Sequence, residues 1–333
     1  MGDIKLTLAC GDYEHTRDLA LGSVRPQGID LTVLNFNVEQ THFRFFRKME
    51  WEVSELSMGM YTSAFSAGDR RMIAIPVFTS RMFRQSAIYV RTDGLIRSPE
   101  DLAGKRVGVP KFSQTATIYA RGYLSDTVGI PLSLIKWFRG GINDPGRVET
   151  GDLHLPPDID VQWVQDRTLT DMLLAGDIDA LITARPPRPI IEGDPRVCRL
   201  FPDYPEVEQA YFQETGIFPI MHAIVIRRDA YEANRWIARN LMTAFTEAKE
   251  RSVARLRDLA AASVPLPWVA DLFERSRCLL FKNGEYWPYG VDANRKTLEA
   301  FLQFGFEQGV FHRLLRPEEI FAEETLSDMD VKI

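Results

Sequence analysis

The chain reads as an α/β protein of two lobes with a cleft between them. Three observations predict this. Strand-like apolar runs alternate with helical periodicity from the first residues, and two crossover segments divide the sequence into 1–91 plus 216–333 and 92–215. The last third is then almost wholly helical in pattern. With 333 residues, 45% of them hydrophobic, there is enough chain for two cores.

In order, Lys5 to Ala9 alternates as a first strand, and Cys10-Gly11-Asp12-Tyr13 turns off its end. Ile29 to Phe36 is a second strand. Glu39 to Glu50 places Phe43, Phe46 and Met49 at helical spacing, and Val53 to Met58 is a third strand carrying Glu55. A short helix over Tyr61 to Ala67 stops at Gly68-Asp69, and the apolar run Met72 to Phe78 follows. This βαβαβ order predicts a parallel sheet with helices on its faces. A polar loop with Arg81 and Arg84 then leads to a strand over Ser86 to Val90, a rigid mount for binding groups.

The first crossover is expected at Arg91 to Gly94. In the second lobe a capped turn, Ser98 to Lys105, feeds the strand Arg106 to Val109, and Thr115 opens a helix to about Asp126. The amides at that helix start favour an anion and would face the cleft with Gln114, Thr115 and Thr117. Strands at Ile135 to Phe138, Val161 to Val164, Asp179 to Thr183 and Val197 to Phe201 complete the lobe, with a helix over Thr168 to Ala175. Arg185 hangs off a strand end ahead of two prolines. Tyr211 to Phe218 is the expected return crossover, and Ile220 to Ile226 a buried strand with one histidine, His222. The remainder is helical over Tyr231 to Asp258, Pro267 to Leu280, Asp292 to Gly309 and Pro317 to Phe321.

Composition excludes several classes. A formal net charge of -6 leaves no basic footprint for nucleic acid or an anionic membrane. No apolar run approaches a membrane span or a signal-peptide core, so a cytoplasmic protein is expected. Cys10, Cys198 and Cys278 are scattered and odd in number, which reads as free thiols. The five histidines show no zinc spacing, and phosphate-loop, dinucleotide and esterase-elbow motifs are absent.

What remains is arginine, hydroxyl and helix-terminus chemistry. Arginine forks match carboxylates, so Arg81, Arg84 and Arg185 suit a small dicarboxylate. Each residue also has an ordinary use: surface salt bridging for the arginines, helix capping for Thr115 and Thr117, a backbone-bonded structural role for His222. For Glu55 and Asp12 it is a cap or salt bridge.

The runs ACGDYEHTRDL, VSELSMGMY, AIPVFTSRMFRQSAIYVR, LAGKRVGVP, QTATIYARGYL, DALITARPP and TGIFPIMHAIVIRRD carry a resemblance across nearly the whole chain. It resembles the 4,5-dihydroxyphthalate decarboxylase family, a branch of the type 2 periplasmic binding protein fold. The resemblance implies loss of one carboxyl group from 4,5-dihydroxyphthalate to give 3,4-dihydroxybenzoate and CO2 in phthalate breakdown. One departure is Gln85, where the family implies a histidine between Arg84 and Ser86.

The implied chemistry needs an acid at the ring carbon, a base at the phenol and an anchor for the retained carboxylate. The expected anchors are Arg81, Arg84 and Thr115, with Gln114 and Thr117 beside them and Arg185 clamping from the second lobe. His222 is the expected acid, and Glu55 or Asp12 the base or phenol acceptor. No organic cofactor is required, and a divalent metal on the catechol oxygens stays open, as does self-association. Two other readings stand beside this one: a non-catalytic binder of an aromatic acid, and a decarboxylase of another hydroxylated aromatic acid.

Overall fold

The computed structural model describes residues 2–149, 151–261, 263–281 and 284–326. Its strands, in chain order, are β1 (Ile4–Cys10), β2 (Ile29–Asn35), β3 (Val53–Ser57), β4 (Met72–Arg81), β5 (Ile88–Arg91), β6 (Arg106–Val109), β7 (Lys136–Arg139), β8 (Val161–Trp163), β9 (Ala180–Ile182), β10 (Val197–Arg199) and β11 (Ile220–Arg227). They form two sheets, one ordered β2-β1-β3-β11-β4 and the other β10-β5-β9-β6-β7-β8. This is the two-lobed α/β architecture expected from the alternation.

The first sheet is not the wholly parallel one that the βαβαβ order predicts. β1 runs parallel to β2 and β3, but β11 inserts antiparallel between β3 and β4. Ile224, Val225 and Ile226 of β11 are fully buried. Burying each stabilises the fold by about 1.5–3 kcal/mol, enough for a late segment to displace a local pairing. Only His222 and Arg227 in this strand are half-buried.

Pairing with β11 also extends β4 through Arg81, matched to Ile220, so the turn begins only at Met82. β5 pairs with β9 and β10, so the chain passes between the sheets from Arg81 to Ile88, ahead of Arg91 to Gly94. Phe83 stacks on Phe218 at 4.8 Å and so joins the outgoing and returning segments.

The return contains a helix, Tyr204–Thr215, where a bare crossover over Tyr211 to Phe218 is expected. Pro205 in its first turn and Gly216 at φ +67° supply start and stop. Other helices end as their sequences dictate. Asn37 caps Val38–Lys48 by accepting the Glu39 amide at 3.0 Å, and Thr168 caps Leu169–Ala175 through the Asp171 amide at 3.0 Å. Among the described residues no helix is long and apolar enough to cross a membrane.

Candidate active site

β3 delivers Glu55 to a fully buried position, where its carboxylate accepts four hydrogen bonds. The Gly11 amide donates at 2.7 Å, the Tyr13 hydroxyl at 2.6 Å, and the Thr79 hydroxyl at 3.0 Å. Nδ1 of His222 lies 2.6 Å away. Four strands or their loops thus converge on one side chain. Burial alone would push the Glu55 pKa up. The hydrogen bond and charge of His222, with His42 and Tyr13 beside it, outweigh that and hold it at about 2. Glu55 is therefore a buried carboxylate that stays ionised. Burial, reinforced by that charge and hydrogen bond, pushes the Tyr13 phenol well above its ordinary value.

A second imidazole, His42 on Val38–Lys48, sets its ring edge-on to His222 with centroids 4.6 Å apart. It is buried, and its Nε2 has no hydrogen-bond partner. Burial, then the charge on His222, depresses its pKa to about 3, so His42 is neutral. One ligand-type atom from each of His42, Glu55 and His222 lies within 4.8 Å of the other two.

The second lobe reaches this region through the start of helix Thr115–Gly122. The Thr115 hydroxyl sits 2.9 Å from Oγ of Ser57 and accepts the Gly59 amide at 2.8 Å. Ser57 is paired in register with His222, so the helix start lies beside the imidazole. The approach is close: a Cβ at Gly59 would run into the carbonyl of Ser113. Thr115 thus spends its side chain joining the lobes. Thr117 turns back to the carbonyls of Lys111 and Gln114, at 2.9 and 2.8 Å. Gln114 keeps a buried Oε1 without a donor.

The arginines are placed differently from one another. Arg81 is buried among Phe78, Phe218 and Trp287, and donates to the carbonyl of Pro288 at 2.8 Å and to Asn294. Arg84 is buried with Nε on the sulfur of Met221 at 3.1 Å, and among the described residues it has no ion pair. Burial lowers both to about 10. Arg185 is exposed and lies 3.6 Å from Glu39 at the rim, where Arg147 pairs with the same carboxylate at 3.3 Å.

Of the expected site residues, the structure joins Glu55 and His222 directly and brings Thr115 and Gln114 alongside. Asp12 is exposed and makes no hydrogen bond among the described residues, and the exposed Arg185 is directed to Glu39 and Asn37. Gln85 is buried, its side-chain oxygen accepting the Arg84 amide at 3.2 Å.

Sequence reasoning passed over His42, Tyr13 and Thr79. For His42 a signal existed: it falls on the buried face of its helix with Thr41 and Phe45, at helical spacing. For Tyr13 and Thr79 there was none, because only the fold brings them to Glu55.

No family model matches the chain. Among curated proteins, 4,5-dihydroxyphthalate decarboxylase of Comamonas testosteroni is 35% identical over 332 residues, covering 99% of this chain and all of that protein. The chain belongs to the 4,5-dihydroxyphthalate decarboxylase family. A second member, from Pseudomonas putida, is 38% identical over 204 residues, covering 61% of this chain and 79% of its own. Among solved structures, the periplasmic aliphatic sulphonate binding protein SsuA of Escherichia coli aligns with a TM-score of 0.54 at 14% identity. That alignment covers 97% of this chain and 99% of the other. This chain therefore has a periplasmic-binding-protein-like fold, and its Glu55–His222 pair lies on the sheet that β11 completes.

Proposed function

We propose that this chain decarboxylates 4,5-dihydroxyphthalate, releasing CO2 and 3,4-dihydroxybenzoate, and that it does so in the cytoplasm. The observation that carries the reading is the end-to-end match to the Comamonas decarboxylase.

An aryl anion in the ring plane is poorly stabilised, so the easier path puts a proton on the ring carbon before CO2 departs. Each ring hydroxyl stands para to a carboxyl-bearing carbon. As the hydroxyl loses its proton, its electrons move onto that carbon, a proton bonds there, the C–C bond to the carboxyl breaks, and the ring regains aromaticity. Net, one proton replaces CO2.

The ring hydroxyls enter at the cluster of Glu55, His222 and His42, which promotes their ionisation. An acid at one end of the ring and a base at the other cannot be served by Glu55 and His222 separately, because the two are bonded at 2.6 Å. We read them as one unit at the phenol end. Arg84 anchors the carboxylate that stays. Burying its guanidinium without an ion pair costs several kcal/mol; the charge of Glu208 offsets part of that and a substrate carboxylate the rest. The amides at the start of Thr115–Gly122 add to the same field, and Gln114 offers its unpaired oxygen to a hydroxyl. Arg81, tied by one terminal nitrogen to Pro288 and Asn294 and packed among Phe78, Phe218 and Trp287, holds the wall of the site.

Incubating the purified chain with 4,5-dihydroxyphthalate and following CO2 and 3,4-dihydroxybenzoate tests the proposal. Binding without CO2 release would instead make the protein a non-catalytic binder of aromatic acids.

A further inference from the structure

We propose that His42 and His222 hold a divalent transition-metal cation through their Nε2 atoms, with Glu55 as the carboxylate behind His222, and that the vicinal ring hydroxyls of the substrate chelate this cation. The proposal rests on the reading that those hydroxyls enter at this cluster, and it names the agent of their ionisation.

Three observations lead there. His42 presents a buried imidazole nitrogen with no hydrogen-bond partner, which is costly for a polar atom unless something occupies it. It is one of three residues from separate elements whose ligand-type atoms fall within 4.8 Å of one another. The two imidazole rings meet edge to face with centroids 4.6 Å apart, and two nitrogens on one ion at about 2.0–2.1 Å each sit no more than about 4.1 Å apart, so a rotation of the rings brings both onto one ion. Lastly, Nδ1 of His222 is committed to Glu55, which leaves Nε2 as the free ligand atom. A carboxylate behind a ligating histidine fixes its tautomer and raises its basicity. The remaining hydrogen bonds on Glu55, from Gly11, Tyr13 and Thr79, hold that carboxylate in place as an orienting group.

The charge argument agrees. A dication in front of the imidazoles supplies positive charge to the catechol oxygens of a substrate that already carries two carboxylates. Two nitrogens from the protein and two oxygens from the ring make four donors of a kind that suits zinc, cobalt and their neighbours. Each phenol loses its proton to water as its oxygen binds.

The test is Co2+ titration of the chelator-treated chain, followed by visible absorption and elemental analysis. About one ion per chain is expected, with affinity weakened at least about tenfold in His42→Ala. His312→Ala, which alters a separate group of the exposed Asp152 and His154 with the half-buried His312, leaves that ion in place. Should His42→Ala fail to fold, Cu2+ bound to the His312→Ala chain, in which the other pair of histidines is broken, reads the same point: hyperfine coupling to two imidazole nitrogens supports the site. Coupling to none overturns it. Failure to bind an ion in the folded chain, or binding lost in His312→Ala and kept in His42→Ala, also overturns the proposal. CO2 release by ion-free protein at the full rate sinks the metal while leaving the decarboxylase reading intact. A bound ion without any CO2 release does the reverse.

Discussion

Nδ1 of His222 lies 2.6 Å from Oε1 of Glu55, and the carboxylate it meets is completely buried. An ionised group in such a place survives only while its partners stay, so each residue depends on the other. Replacing Glu55 by Gln keeps the shape and removes the charge. We expect turnover to fall by about 10²-fold or more while bound substrate is retained, read as kcat against KM. Equal losses in binding and turnover would return Glu55 to a structural role.

His222→Gln is expected to bind 4,5-dihydroxyphthalate in calorimetry and to release almost no CO2. Near-normal release removes His222 from the reaction.

Arg84→Ala should weaken substrate binding at least about tenfold, with the circular dichroism spectrum unchanged, since a charge-assisted hydrogen bond is worth about 1.5–3 kcal/mol. Unaltered affinity would show that the carboxylate is anchored elsewhere.

Thr115→Val removes the hydroxyl that meets Ser57 and leaves the buried Gly59 amide without its acceptor. The expected cost is about 1–3 kcal/mol, seen as a lower melting temperature. A melting temperature equal to that of the parent would mean the contact contributes nothing.

His15, like the neutral His42, contributes to the acid limit of the fold. Burial first, and Lys249 with it, lower its pKa to about 4 against the opposing pull of Glu55 and the Thr79 backbone. The folded form then binds fewer protons than the unfolded one between about pH 4 and 6.5. Stability is present above 6.5 and falls as pH drops through that window, by up to about 1.4 kcal/mol per pH unit. His15→Gln should flatten the fall in melting temperature between pH 6.5 and 4, and an unchanged slope would refute this account.

Much of the fold was legible because periodicity reports burial. β6 and the start of helix Thr115–Gly122 stand where apolar spacing and the turn residues place them, and β3 was readable down to the odd charge at Glu55. The position of β11 was not, since strand order depends on contacts between residues far apart in the chain. The same limit hid much of the site. Glu55 and His222 were visible as ionisable residues in apolar strands, but their mutual bond spans 167 positions. Arg185 looked suited to a ligand because prolines fix its backbone, yet Glu39 supplies it with a carboxylate from the facing helix. Local sequence says that a charge will be placed, and only the assembled surface says against what.

Gly59 carries a last consequence. Because its missing side chain lets the Ser113 carbonyl come against it, the spacing between the two lobes here is gauged by bare backbone on both sides. A single methyl group at position 59 would push the two segments apart and stretch the bond from the Gly59 amide to the Thr115 hydroxyl.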